Sequence, residues 1–225
     1  MPIAKGSGAL FVVFEGPDGS GKTTQTMLLR DALQKAGHAV LATREPGGTS
    51  IGEQIRTVVH AVENGSMLPL TEALLYSAAR AQLVGEVIRP ALAEGRFVIS
   101  DRYAYSTIAY QGEGRGLDRH MLQQLTRWAT QDLVPDVVVY LDLDVQEGLR
   151  RKQQALDQGG EINRMDQQTV DFYRSVRNSY LQMAREDADR WLVVEACQPV
   201  EAIHARVLSH LSELCERRRR RVQGG

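Results

Sequence analysis

The segment Leu10-Phe11-Val12-Val13-Phe14-Glu15-Gly16-Pro17-Asp18-Gly19-Ser20-Gly21-Lys22-Thr23-Thr24 decides how the rest of the chain is read. Leu10 to Phe14 form a continuous apolar run, the pattern of a strand buried on both faces. Gly16 to Thr23 then fit G-x-x-x-x-G-K-[ST] at every fixed position. From Lys22 to about Ala36, residues Met27, Leu28, Ala32, Leu33 and Ala36 form one helical stripe, which Gly37 stops. Strand, glycine-rich turn and helix N-terminus in that order are the context such a loop needs to cradle phosphate. Glycines let backbone N–H groups turn inward around phosphate oxygens, and the helix N-terminus favours negative charge. Lys22 would supply a point charge at the β- and γ-phosphates, and Thr23 a hydroxyl to Mg²⁺. The loop from Gly16 through Pro17, Asp18, Gly19, Ser20, Gly21, Lys22 and Thr23 to Thr24 is therefore predicted to bind a nucleoside triphosphate.

Working outward, Phe97 to Ser100, Val137 to Leu143 and Trp191 to Glu195 also read as buried strands, and His38 to Thr43 as a fifth. Helical patterns separate them, which predicts an α/β fold with a central, mainly parallel five-stranded sheet between helical layers. Ser50 and Glu53 form an S-x-x-E pair suited to cap a helix running through Val59. Pro69 and Thr71 introduce another, Glu72 to about Ile88. The polar stretch Gln153 to Gly160 reads as a mobile surface segment. One domain is expected over 9–214, with a lid at about 150–166, a flexible N-terminus at 1–8 and a basic tail at 215–225.

Composition narrows the function classes. The 225 residues are 43% hydrophobic and 24% charged, which excludes disorder and fibrous repeats. No apolar run approaches the length of a membrane span, and residues 1–8 lack a secretory pattern, so a cytoplasmic location is expected. Cys197 and Cys215 have no metal-ligand spacing and read as reduced thiols. A formal net charge of −1 provides no general field for nucleic acid, and no such partner is expected despite the five arginines Arg217 to Arg221. A guanine-reading N-K-x-D is absent, which argues against a GTPase switch. A small phosphotransferase remains, and it needs a second pocket with cations for a phosphate and a flat face for a base.

Candidates for that pocket exist. Asp101-Arg102-Tyr103 follows a strand, and carboxyl ends of strands face the ligand crevice of open α/β sheets. Asp101 would hold the water shell of Mg²⁺ and Arg102 would clamp a phosphate, although such neighbours also make ordinary surface ion pairs. Tyr76 and Arg80, four apart on one helix face, suit a base-reading pair or plain packing. Thr107, Tyr110 and Gln111 present polar groups at i, i+3 and i+4, as a binding edge or a solvated face.

Several segments carry a more specific signal. They are Phe14 to Thr24, Thr43-Arg44-Glu45-Pro46-Gly47-Gly48-Thr49, Glu72 to Arg80, Ser100-Asp101-Arg102-Tyr103, Ala109-Tyr110-Gln111-Gly112 and Pro135-Asp136. In order and spacing they resemble bacterial thymidylate kinases from roughly Leu10 to Leu211. The resemblance implies a P-loop NTPase-type fold, transfer of phosphate from ATP to dTMP with Mg²⁺, and a homodimer using the third helix. It implies that Asp18 accepts a hydrogen bond from the deoxyribose 3′-hydroxyl, that Glu45 and Arg56 line the acceptor site, and that Arg102 with Arg56 holds the monophosphate. Tyr76 would stack on thymine, Arg80 would donate to its O4, Thr107 and Gln111 would meet the base, and Tyr110 would close over the sugar. The tyrosine replaces a frequent phenylalanine, and Asn163-Arg164-Met165-Asp166 stands where D-R-x-E is usual. No cation occupies the variable loop positions Pro17 to Ser20. The extra catalytic charge is therefore expected from lid residues Arg151 and Arg164, with Arg150 and Lys152 left as solvated charges. The alternatives are another P-loop nucleoside or nucleotide kinase, or a nucleotide-binding protein without turnover.

Overall fold

Five apolar runs become the strands of one sheet: β1 (Phe11–Glu15), β2 (Val40–Arg44), β3 (Phe97–Asp101), β4 (Val137–Asp142) and β5 (Trp191–Glu195). The computed structural model describes residues 9–160 and 162–223, with side chains as far as Arg220. The expected N-terminal segment 1–8 lies outside the described residues. Strand order is β2-β3-β1-β4-β5, and every pairing is parallel, with Val12 opposite Ile99 on one side and Val137 on the other. Parallel strands need crossovers, and these carry α1 (Lys22–Lys35), α2 (Ser50–His60), α3 (Pro69–Leu83), α4 (Arg89–Ala93), α5 (Ala104–Thr107), α6 (Arg119–Thr130), α7 (Val145–Asp157) and α8 (Val170–Glu186), while α9 (Val200–Gln223) follows β5.

Alternation along β1 shows the three layers. Val12 and Phe14 pack with Leu29 and Leu33 of α1 and Ile203, Val207 and Leu211 of α9. Phe11 and Val13 point to the opposite face, against Leu83, Val84, Ile88 and Tyr103. Beside them, Val138 and Tyr140 of β4 pack on Phe172, Val176 and Tyr180 of α8. All five residues of β1 are buried, as expected of a central strand covered on both faces. None of the described helices is long and apolar enough to cross a membrane.

Some expectations change in detail. The cap of α2 is Thr49, not Ser50: its extended backbone lets Oγ1 accept from Gly52 N at 2.9 Å, and Ser50 is already helical. Glu53 instead accepts from Gly48 N at 2.9 Å and from Arg44 at 3.0 Å. The helix expected to end at Ile88 starts earlier, with Pro69 in its first turn, and loosens into a wider π turn over Val84–Ile88. Pro90, which has no N–H to donate, sits just beyond that turn. The supposed mobile stretch at Gln153 is helical to Asp157, started by the Asp144 side chain and stopped at Gly159, where φ is +90°. Helix α9 runs through the basic tail to Gln223, Cys215 is buried in the core, and Arg218 pairs with Asp136.

Candidate active site

The carboxyl ends of β1, β2 and β3 open onto one cavity of about 550 Å³. At one end lie Asp18, Lys22 and Thr23, and at the other Tyr76, Arg80 and Gln111, with Arg56 and Arg102 also on the wall. Glu45, Asp101, Thr107, Tyr110 and Thr24 line it too, so tertiary structure brings together most of the residues singled out from sequence.

The loop after β1 turns tightly because two glycines permit it. Gly16 has φ +146°, and a Cβ there would lie 2.7 Å from Leu141 O and 2.8 Å from Ser20 Oγ. Gly21, at φ +91°, is the residue from which α1 starts. Lys22 Nζ donates to Pro17 O at 2.8 Å and stands 3.8 Å from Asp18. Burial, followed by the nearby Arg102 charge, pushes its pKa down to about 8. Thr23 Oγ1 donates to Asp101 Oδ2 at 2.6 Å. This hydroxyl and carboxylate are hard oxygen donors suited to Mg²⁺. Among the described residues no cluster of three or more His, Cys, Asp or Glu could hold a metal ion.

Consecutive strand residues alternate faces, yet Asp101 and Arg102 both face the crevice. Arg102 achieves this with a left-handed φ of +73°, a conformation uncommon outside glycine. Its Nη2 donates to Asp18 Oδ1 at 2.6 Å, and its guanidinium lies 5.2 Å from the Tyr110 ring centroid. Partial burial opposes the Asp18 charge, but Arg102 and then Lys22 outweigh it and hold the carboxyl well below the usual range. Arg56 donates to Pro46 O at 3.0 Å and has no ion-pair partner among the described residues.

Glu15, quoted in the motif but given no role, anchors this kink. It is fully buried and accepts from Tyr103 N at 3.0 Å, Ser106 Oγ at 2.7 Å and Tyr180 Oη at 2.8 Å. Burial raises its pKa, against the pull of Arg102. An acidic residue ending a fully apolar strand was the available sign, since a buried carboxylate demands partners.

At the far end Arg80, 1% exposed, donates to Glu45 Oε2 at 2.8 Å, Thr107 Oγ1 at 3.0 Å and Tyr103 O at 3.1 Å. Glu45 is correspondingly buried; desolvation pushes its pKa up to about 7 although Arg80 pulls it down. His60 also lines this wall and was not foreseen. Burial, then Arg56, holds its pKa near 4, so the imidazole is neutral at pH 7.

Two arginines expected on the cavity lie elsewhere. Arg164 is 3% exposed, paired with Glu72 at 2.5 Å and donating to Val59 O at 3.1 Å. The fully buried Glu72 carboxylate needs such a cation. Arg151 grips the outside of the phosphate loop, donating to Gly19 O at 3.3 Å and Ala196 O at 3.2 Å, and pairs with Glu147. Lys152, expected as a solvated charge, lines the cavity and stands 3.2 Å from Asp166.

With that geometry established, the family model described as thymidylate kinase matches residues 14–207. The chain belongs to the thymidylate kinase family. It is 48% identical over 210 residues to the thymidylate kinase of Thermomicrobium roseum, covering 93% of this chain and 98% of that one. The thymidylate kinase of Deinococcus radiodurans is 47% identical over 209 residues, covering 92% and 98%. A crystal structure of thymidylate kinase from Ehrlichia chaffeensis superposes with a TM-score of 0.73 at 31% identity, covering 91% of this chain and 99% of that chain. The likeness to thymidylate kinases read from T-R-E-P-G-G-T and A-Y-Q-G, and the P-loop fold it implied, are borne out.

Proposed function

We propose that the protein transfers the γ-phosphoryl group of ATP to dTMP, giving ADP and dTDP on the way to dTTP. One observation carries this reading: a single cavity runs from the phosphate-loop lysine to the Tyr76/Arg80 end, with Arg102 and Arg56 on its wall. Two cations there fit an acceptor that already bears a phosphate, which a nucleoside kinase would not require.

In this reading the protein positions two anions in line and stabilises the charge spread over the moving group. ATP phosphates lie on the Gly16 to Thr24 loop, where their charge draws Lys22 away from Pro17 O. Thr23 and Asp101 would hold Mg²⁺, which would supply positive charge to neutralise the phosphates. Arg102 and Arg56 hold the dTMP phosphate, and Asp18 accepts from the 3′-hydroxyl. Tyr76 stacks on thymine, Arg80 donates to O4, and Thr107, Gln111 and Glu45 complete the wall with Tyr110 over the sugar. The remaining cation we assign to Lys152, with Arg151 bracing the loop, because the Arg164 guanidinium is committed to Glu72.

The homodimer is part of the same proposal. Leu70 and Leu74, one turn apart on α3, are about half exposed, and Trp128 on the neighbouring α6 is 79% exposed. A second copy covering them removes an apolar patch from water. We place the protein in the cytoplasm, a reducing compartment that suits a chain with only two cysteines, Cys197 and Cys215, and we assign it no nucleic-acid partner.

The test is ADP release from ATP and Mg²⁺ with each nucleoside monophosphate and with thymidine. dTMP should be consumed fastest. Faster turnover of dGMP, CMP or thymidine overturns the assignment. Arg80→Ala should raise KM for dTMP by the equivalent of about 1–3 kcal/mol and leave ATP affinity nearly unchanged.

A further inference from the structure

We propose that Glu72 is a positioning residue that decides which way round Gln111 offers its amide to the acceptor base, and so sets discrimination between thymine and cytosine. The inference rests on the reading of the cavity as the acceptor site. Glu72 lies on α3 one turn before Tyr76 and is 0% exposed. Burial works against its charge, but Gln111, Arg115 and Arg164 outweigh that and lower its pKa, so it is ionised at neutral pH. Gln111 Nε2 donates to Oε1 at 2.7 Å, Arg115 Nη2 to Oε2 at 3.2 Å, and Arg164 pairs with Oε2 at 2.5 Å.

An ionised carboxylate only accepts. Gln111 must therefore turn its NH₂ to Glu72, because the flipped amide would set a carbonyl oxygen against the carboxylate. Its Oε1 accepts no hydrogen bond from the described residues, and Gln111, though 2% exposed, lines the cavity. The cavity end thus carries an obligate donor, the Arg80 guanidinium, and an acceptor whose orientation Glu72 dictates. Thymine offers the complement, the O4 acceptor beside the N3–H donor. Cytosine offers an amino donor and an N3 acceptor, and both meet the wrong partner. A mismatch in a buried site leaves polar groups unpaired, which is how hydrogen-bonding pockets reject near-isosteres.

The test compares wild type, Glu72→Gln, Gln111→Met and the double variant for kcat and KM with dTMP and dCMP. Glutamine at position 72 keeps the shape but can donate as well as accept, so it no longer selects one amide orientation. In Glu72→Gln the dTMP/dCMP ratio of kcat/KM should fall at least about tenfold, mainly through KM for dTMP, the scale of one hydrogen bond left unmade. In the Gln111→Met background the same change should leave the ratio where it is. An unchanged ratio in Glu72→Gln, or an equal fall in both backgrounds, overturns the proposal. Arg164→Met separates a structural effect: it removes a Glu72 partner without freeing the amide, so Tm should fall while the ratio holds. Side-chain amide NMR of the full chain without substrate reads the contact independently of activity. One Gln111 Nε2 proton should be downfield and protected in wild type and lose both properties in Glu72→Gln. Absence of that signature in wild type overturns the orientation, whereas failure to turn over dTMP with the signature intact overturns the acceptor reading instead.

Discussion

Arg102 holds a backbone conformation that most side chains avoid, and it does so at the end of the central crevice. The kink would relax if nothing held it, since a left-handed non-glycine residue costs on the order of 1–3 kcal/mol. Glu15 holds the following turn through Tyr103 N and Ser106, while Asp18 holds the guanidinium. Charges at this scale differ by what they are already bound to. Lys152 faces the cavity, whereas Arg164 is sealed against Glu72. Lys152→Ala should therefore lower kcat about 10²-fold, the scale of losing one strong electrostatic stabiliser, with little change in Tm. Arg164→Ala should act chiefly on stability, by about 1–3 kcal/mol, since Arg115 still serves Glu72. Steady-state kinetics and melting curves on both variants decide it; the reverse ordering would return the catalytic charge to Arg164.

Helix α9 shows how an element can be misjudged from composition. Five consecutive arginines look like a solvated end, yet the helix that begins in the core, with Ile203, Val207 and Leu211, carries them along its continuing turns. Cys215 is buried, and Arg218 reaches Asp136, whose other oxygen accepts from Phe11 N at 2.7 Å. Asp136 and Arg218 are both partly exposed, so the pair contributes at most about 1 kcal/mol. Removing residues 217–225 should leave kcat unchanged and lower Tm by about 2–4 °C at most. A large fall in kcat would give the tail a role in the site. For α2 the decisive residue is Thr49. Thr49→Ala removes the acceptor for Gly52 N and should cost about 1 kcal/mol, read as a small drop in Tm.

At the scale of the whole molecule, buried titratable groups around the cavity make stability depend on pH. His60 has a folded pKa of about 4 against an unfolded value near 6.5. Between those values the unfolded chain binds the proton and the folded one does not, so this residue's contribution falls as pH drops from about 6.5 towards 4. Relative to His60→Gln, wild type should lose on the order of 2 kcal/mol more across that window. Glu45 acts in the opposite sense but is common to both proteins, so it cancels in the comparison. Parallel Tm–pH curves for the two proteins would refute the assignment. Dimerisation is tested at the same scale: Trp128→Glu should shift sedimentation towards monomer, and an unchanged sedimentation coefficient would remove Trp128 from the interface.

Local rules were enough for much of this molecule. Five apolar runs with helical stretches between them determine a parallel sheet, because such strands are buried on both faces and need crossovers. The loop from Gly16 to Thr24 was legible for a related reason: the groups that cradle phosphate are contiguous in the chain, and their spacing is their geometry. Asp101 with Arg102 and Tyr76 with Arg80 were visible as candidates because each pair sits at a strand end or on one helix face. What remained hidden depended on long-range partners. Whether Arg164 or Lys152 faces the cavity is decided by Glu72, some ninety residues earlier in sequence, whose buried charge captures Arg164. Glu15, His60 and the orientation of Gln111 were hidden likewise, since desolvation and hydrogen-bond pairing exist only once the layers close over them.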